Sequence, residues 1–169
     1  MNGITILSTG RYIPEDCIAN EDFTKFVETS DEWIRTRTGI ATRHFANGEP
    51  TWYMGAMAAK AALERESIAP EQIDLVLVSC CTPDYLTPSV ACMIQRELGL
   101  KKAHCIDINC ACSGFVYGLD MARRYLNCGD EEIQTVLLVS AERLSQMLDF
   151  TDRSTCVLFG DGAGAVVVK

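Results

Sequence analysis

The sequence predicts an α/β fold: a mostly parallel sheet covered by helices on both faces. Three observations carry that prediction. Apolar runs without alternation at residues 75–79, 104–108 and 135–139 read as strands buried on both sides. Segments with apolar residues at helical spacing separate them, the arrangement that produces parallel pairing. Repeats, low-complexity stretches and linkers are absent from the 169 residues, so residues 1–169 are expected to form one domain.

The elements follow in order. Residues 4–8 form a short β-rich run that ends toward Gly10 and Pro14. Asn20 caps a helix reaching about Glu28; Ser30, Asp31 and Glu32 open another that carries Trp33, Ile34 and Arg37 and stops at Gly39. Thr51 caps a long helix to about Glu66, whose Met54, Ala58, Ala61 and Ala62 form a face of mostly small side chains, suited to close packing. After the strand at 75–79, Thr87 is an N-cap with Pro88 at the first helical position. Val90, Met93, Ile94 and Leu98 then fall at helical spacing, and Gly99 closes the helix. The strand at 104–108 leads into a helix over 113–126 with Phe115, Leu119, Ala122 and Leu126 on one stripe. Residues 156–159 and 163–168 flank Gly160-Asp161-Gly162, so the chain is expected to close on a hairpin.

Composition narrows the function. With 15 Lys and Arg against 23 Asp and Glu, the net charge is −8 and no basic run appears, which argues against nucleic-acid binding. The longest stretch without a charged residue, 108–119, has 12 residues. A membrane-spanning helix needs about 20. The N-terminus also lacks the basic start of a signal peptide, so a soluble cytoplasmic protein is expected, with no membrane partner. Nine cysteines in such a chain read as reduced thiols, most of them small hydrophobes and one or two reactive. The absence of a C-x-x-C pair, with only two histidines, predicts no metal site.

The segment richest in chemistry is His104-Cys-Ile-Asp-Ile-Asn-Cys-Ala-Cys112-Ser-Gly-Phe-Val. A strand runs through a small-residue turn into a helix, which puts Cys112 at the helix N-terminus. There the macrodipole and free N–H groups favour a thiolate, and they can stabilise a carbonyl oxygen as it gains charge. On geometry alone Cys112 is a nucleophile or a structural cysteine, and Cys110 is the weaker nucleophile candidate. Gly160-Asp-Gly-Ala-Gly-Ala165 satisfies G-x-G-x-x-A, but Val166, Val167 and Val168 follow where a dinucleotide fold needs a helix.

The run from Asp107 through Cys112 to Phe115 resembles the active-cysteine segment of the beta-ketoacyl-acyl carrier protein synthase III family, condensing enzymes of the thiolase fold. Two other segments agree: Thr29-Ser-Asp-Glu-Trp-Ile-Arg-Thr-Arg37-Thr-Gly-Ile and Thr151-Asp-Arg153-Ser-Thr-Cys-Val-Leu-Phe-Gly-Asp-Gly-Ala-Gly-Ala. The resemblance runs from Ile4 to Lys169. It implies the N-terminal half of a duplicated thiolase-like fold, with Cys112 as the acyl-accepting nucleophile whose own N–H joins the oxyanion hole. By the same resemblance Trp33 and Arg153 sandwich the adenine of coenzyme A, and Arg37 with Thr29 meets the nucleotide end. Read without the family, Trp33 is a core residue beside a solvated charge, and Arg153 is an ion-pair partner of Asp152 or Asp149.

The implied reaction transfers an acyl group from acetyl-coenzyme A, or another short acyl-coenzyme A, to Cys112. Decarboxylative condensation with malonyl-acyl carrier protein follows, opening fatty acid synthesis without a bound cofactor. The family polarises the malonyl thioester with a histidine and an asparagine that lie beyond Lys169. His44, His104 and Asn109 are poor substitutes, so this chain is expected to be necessary but insufficient for condensation, its length that of half an enzyme. The resemblance further implies a homodimer, with Thr87 reaching the partner's acyl pocket and leaving room for a longer or branched starter. Alternatives are a related acyltransferase or hydroxymethylglutaryl-coenzyme A synthase, and a non-catalytic half-protein that needs a partner chain.

Overall fold

A computed structural model describes residues 3–129 and 132–169. Its main sheet has the order β1-β7-β6-β4-β5, where β1 is Ile6–Tyr12, β4 Leu75–Ser79, β5 His104–Ile108, β6 Val136–Arg143 and β7 Asp161–Val168. The strands β6, β4 and β5 pair in parallel, whereas β7 pairs antiparallel with both β6 and β1. Four of the five strands therefore point one way and the sheet is mixed only through β7. A separate two-stranded sheet joins β2 (Asp16–Ala19) to β3 (Thr42–Phe45).

Helices cover both faces. Along β4, Val76 and Val78 join α2 (Thr51–Arg65) and α3 (Val90–Leu98) in one core; Leu75 and Leu77 face α4 (Gly114–Leu126) in a second. Period-two alternation explains the division, and it extends to β6, where Leu137 and Val139 take the first face and Val136 and Leu138 the other. An uninterrupted apolar run is what a strand needs when both faces are covered. Burial of each such side chain contributes roughly 1.5–3 kcal/mol.

The small face of α2 meets β1. Ala58, Ala59 and Ala62 are fully buried, and the Ser8 hydroxyl donates to the Ala62 carbonyl at 2.6 Å. A third core of Phe23, Ile34, Cys156 and Val157 lies under α1 (Asp31–Thr38) and the β2–β3 pair. Buried Arg43 ties these parts together: it donates to Asn20 Oδ1 at 2.8 Å and to the Val157 carbonyl at 2.9 Å, with its guanidinium 4.3 Å from the Phe23 ring.

Several local expectations are revised. Gly10 does not end the first strand, which runs to Tyr12. Asn20 is not an N-cap: it is the first residue of a 3-10 helix (Asn20–Lys25), and its buried amide donates to Asp31 Oδ1 and the Ile40 carbonyl. Thr51 is the first residue of α2 rather than its cap; Asp84 accepts the Thr51 and Trp52 N–H groups, while the Thr51 hydroxyl donates to the Thr82 carbonyl. Ser89, not Thr87, caps α3, and Asp107 accepts the N–H groups of Val90 and Ala91. The closing hairpin pairs β7 with β6; residues 156–158 form turns, and Asp161 begins the strand. Ser30 and Gly39 do bound α1 as expected, with the Ser30 hydroxyl accepting from Trp33 N and Gly39 at φ 74°.

At the N-terminal end of the parallel strands, buried Asp74 accepts the Gln134 and Thr135 N–H groups at 2.9 Å each, and Lys102 Nζ lies 2.6 Å away. Burial pushes its pKa up, but Lys102 and the two N–H groups outweigh that and the net pKa is lowered. The stabilisation is therefore present above the unfolded carboxylate value of about 4 and is lost as pH falls through the folded value. Asp74→Ala should lower unfolding free energy at pH 7 by about 1–3 kcal/mol. In urea titrations at pH 3 the gap between variant and parent should shrink; a gap that does not change with pH would contradict this account.

Candidate active site

In a sheet whose parallel strands share a direction, loops at their carboxyl ends converge. Here β4 ends at Ser79, β5 at Ile108 and β6 at Arg143, and the Cys80 N–H donates to the Ile108 carbonyl at 3.1 Å, drawing the first two ends together. Alternation places Ser79, Ser140 and Glu142 on the α4 face of the sheet, and Cys81, two residues past the end of β4, donates its N–H to Glu142. The first residue of α4 confirms the approach, since a Cβ at Gly114 would lie 1.7 Å from Ser79 Oγ.

Cys112 stands just before that residue, inside a 3-10 turn (Ala111–Ser113), and is exposed. It lies one turn short of α4 rather than on it, because Ala111 adopts φ 46°, a left-handed conformation that bends the chain sharply out of β5. Such backbone costs a non-glycine residue of order 1 kcal/mol and is held only by its surroundings. A β-branched side chain tolerates it worst. Ala111→Val should accordingly cost about 1–2 kcal/mol and disturb Cys112 more than Cys110. Thiol-alkylation rates at the two positions, read by mass spectrometry, check this; equal changes would count against it.

Beside Cys112 the polar groups are closely organised. Glu142 accepts from the Cys81 N–H at 2.8 Å and from the Thr82 hydroxyl at 2.5 Å, and that hydroxyl accepts from the Arg143 N–H at 2.8 Å. Burial and Glu142 push the Cys81 pKa up to about 11, and Cys112 is close enough to add to the rise. The Ser140 hydroxyl is buried with no partner among the described residues. Neither histidine joins this cluster. His44 lies on β3 with Nδ1 2.7 Å from the Pro14 carbonyl oxygen, and His104 begins β5 at the opposite end. Sequence reasoning missed Cys81 and Glu142; the period-two pattern, carried past Ser79 and Val139, was the signal that locates them.

A second group lies apart from Cys112. Trp33, half-buried on α1, has the Arg37 guanidinium over its ring at 4.5 Å and that of Arg153 also at 4.5 Å. Arg153 donates to the Glu28 carbonyl at 3.0 Å and forms no ion pair with Asp149 or Asp152, whose carboxylates accept from Thr151, Ser154 and Thr155 instead. Thr29 follows Glu28 directly, with its hydroxyl buried and unpartnered among the described residues. An open cleft of about 490 Å³ runs beside these residues, lined by Phe26, Val27, Glu28, Thr151 and Arg153. Trp33, Arg37 and Arg153 thus come together with Thr29 at their edge. Thr87 belongs to neither group; it is exposed in the loop between β4 and α3, next to fully exposed Leu86. Among the described residues no cluster of three His, Cys, Asp or Glu side chains is placed to hold a metal, and no helix is long and apolar enough to cross a membrane.

A family profile described as 3-oxoacyl-[acyl-carrier-protein] synthase III matches residues 106–169. The beta-ketoacyl-[acyl-carrier-protein] synthase III of Clostridium acetobutylicum is 50% identical over all 169 residues. The solved 3-oxoacyl-[acyl-carrier-protein] synthase III of Aquifex aeolicus superposes with TM-score 0.95 at 48% identity, covering 99% of this chain and 54% of that one. The priming beta-ketosynthase of a polyketide biosynthetic pathway superposes with TM-score 0.94 at 38% identity, covering 99% and 50%. The chain covers 51% of the Clostridium protein and so spans about half the length of the curated relatives it matches. In its thiolase-like fold and in sequence along its whole length, the chain matches about half the length of the beta-ketoacyl-[acyl-carrier-protein] synthase III proteins.

Proposed function

We propose that this chain supplies the acyl-accepting half of a condensing enzyme that joins a short acyl group to malonyl-acyl carrier protein and so starts fatty acid synthesis. The observation that carries the reading is the placement of Cys112. An exposed thiol sits on a strained turn at the carboxyl ends of the parallel strands, just before the N-terminus of α4. Its sulfur attacks the thioester carbonyl of an acyl-coenzyme A. Backbone N–H groups at the turn hold the oxygen as it becomes negative, coenzyme A leaves as the thiol, and an acyl-cysteine remains. The Trp33–Arg37–Arg153 stack receives the nucleotide end, with flat polarizable faces for the base and guanidinium groups for the phosphates. Thr29, beside the stack, offers its unpartnered hydroxyl to the same ligand.

The second step lies outside what these residues perform. Decarboxylation of the malonyl thioester needs hydrogen-bond donors aimed at its carbonyl, and both histidines are directed elsewhere. Exposed Val116 and Tyr117 on α4, with Leu86 and Tyr85 in the Thr87 loop, fit a cysteine region covered by further protein in the working homodimer. Thr87 in that setting borders the partner's acyl pocket. The small side chain at Thr87 leaves room there for a starter longer than acetyl, which is the second reading.

Incubation with acetyl-coenzyme A followed by mass spectrometry should place the acetyl group on Cys112; a label on Cys110 would overturn the assignment. The chain alone should release no carbon dioxide from malonyl thioesters, and measurable condensation would show that a base has been missed. Trp33→Ala should weaken coenzyme A binding roughly tenfold, the loss of a stacking platform worth about 1–2 kcal/mol, without blocking acetylation of Cys112 at saturating substrate.

A further inference from the structure

Cys81 has no part in acyl transfer, yet its position is determined by three independent features. Cys80, its neighbour, is buried in the α2–α3 core, whereas the Cys81 N–H reaches Glu142, which alternation along β6 puts on the α4 face with Ser79. Ser79 touches the start of α4 at Gly114, two residues beyond Cys112. Cys81 and Cys112 thus flank one contact, each two residues from it, and the Cys81 thiol feels the charge of Cys112. The Glu142 carboxylate, fixed by the Cys81 N–H and the Thr82 hydroxyl, faces the same thiol.

We propose that Cys81 is a resolving cysteine for Cys112: oxidation of Cys112 by a hydroperoxide is captured as a Cys81–Cys112 disulfide, a reversible state that protects the nucleophile. This inference rests on the reading of Cys112 as the reactive thiol. In the first step the Cys112 sulfur attacks the terminal peroxide oxygen; the O–O bond breaks and an S–O bond forms. The thiol proton leaves with the alcohol or water, so Cys112 is oxidised by two electrons and the hydroperoxide reduced by two. In the second the Cys81 sulfur attacks the sulfenic sulfur: an S–S bond forms and the S–O bond breaks. The proton given up by Cys81 passes by way of Glu142 to the departing hydroxide, which leaves as water.

Glu142 explains why this attack waits for a partner. A thiol held protonated is a poor nucleophile toward outside reagents, but its proton already faces a carboxylate that can take it when a sulfenic acid is adjacent. Cys110 is exposed and Cys80 is buried on the opposite face, its pKa pushed to about 12 by burial and Glu142. Neither has both the access and the proton acceptor. Without Cys81, Cys112 would continue to the sulfinic acid, which ordinary thiol reductants do not reverse.

The test treats the chain with hydrogen peroxide, digests it with trypsin and maps the products by mass spectrometry. The expected product links the peptide of residues 66–96 to that of residues 103–123 through Cys81 and Cys112. Dithiothreitol should then restore nearly all alkylatable Cys112. In Cys81→Ser, and equally in Cys81→Ala, recovery should fall to less than roughly one tenth, with sulfinic acid at Cys112 in place of the cross-link. A cross-link through Cys110 or Cys80, or undiminished recovery in both variants, overturns the proposal. Acetylation by acetyl-coenzyme A separates the two readings: a Cys112 that acetylates but forms no bridge to Cys81 defeats only the resolving role. A bridge without acetylation defeats only the acyl-transfer role.

Discussion

Gly10→Ala should destabilise the chain by about 3 kcal/mol or more, the upper range for overpacking a core. A Cβ at Gly10 would lie 2.2 Å from the Ala58 carbonyl oxygen and 2.4 Å from Ala62 N, both backbone atoms of α2. No rotamer change relieves a collision with backbone, so β1 must withdraw from the helix. Withdrawal also breaks the 2.6 Å bond from Ser8 to the Ala62 carbonyl and opens the alanine face that both elements bury. Native domains are held by only about 5–15 kcal/mol, so the loss is a large share of the total. Denaturant titration should show a much lower midpoint with little change in slope. By contrast, Gly3→Ala meets nothing within 4 Å and should leave the midpoint within about 0.5 kcal/mol of the parent. Equal midpoints for Gly10→Ala and the parent would show that β1 does not press on α2 as described.

That close approach was legible in part. Ala58, Ala61 and Ala62 announced a face made for tight packing, and the buried strand at 75–79 has the bounds its apolar run predicts. Capping and turn assignments miss where a side chain's partner is distant in sequence. Thr51 has the chemistry of an N-cap, but Asp84, far along the chain, takes the N–H groups that Thr51 would have capped. Gly160-Asp161-Gly162 carries the composition of a tight turn, yet β7 pairs with β6, whose nearest residue is 18 positions back, and Asp161 is recruited as an acceptor for Ala46 and Ser145. The β2–β3 pair is short and half-exposed, so its pattern is too weak to read, and it forms because Arg43 binds Asn20 and Val157 beneath it. For the site, the Trp33 stack and the Cys112 turn came from motif resemblance. For Cys81 and Glu142 the period-two pattern gives at most the face, and their pairing needs the register of β4 against β6, which the folded sheet supplies.

Gly114→Ala should slow acylation of Cys112 about a hundredfold, because displacing a reacting group by around 1 Å carries a penalty of that order. The added Cβ would lie 1.7 Å from Ser79 Oγ and 2.7 Å from Ser79 Cβ. Turning the hydroxyl away relieves the first contact and leaves the second, so α4 must lift from the end of β4 and carry the Ala111–Ser113 turn with it. The same shift would separate Cys112 from Cys81 and reduce the yield of the disulfide proposed between them. A steric origin makes a second prediction that a general loss of fold would not: Ser79→Gly removes both offending atoms, so the double variant should recover most of the lost acylation rate. Each change alone harms the site, and together they should be far from additive, as expected for groups in direct contact. Single-turnover acetylation of Cys112 in the four proteins of this cycle measures the coupling. If the double variant acylates no faster than Gly114→Ala, the position of Cys112 does not depend on the contact between Ser79 and the start of α4.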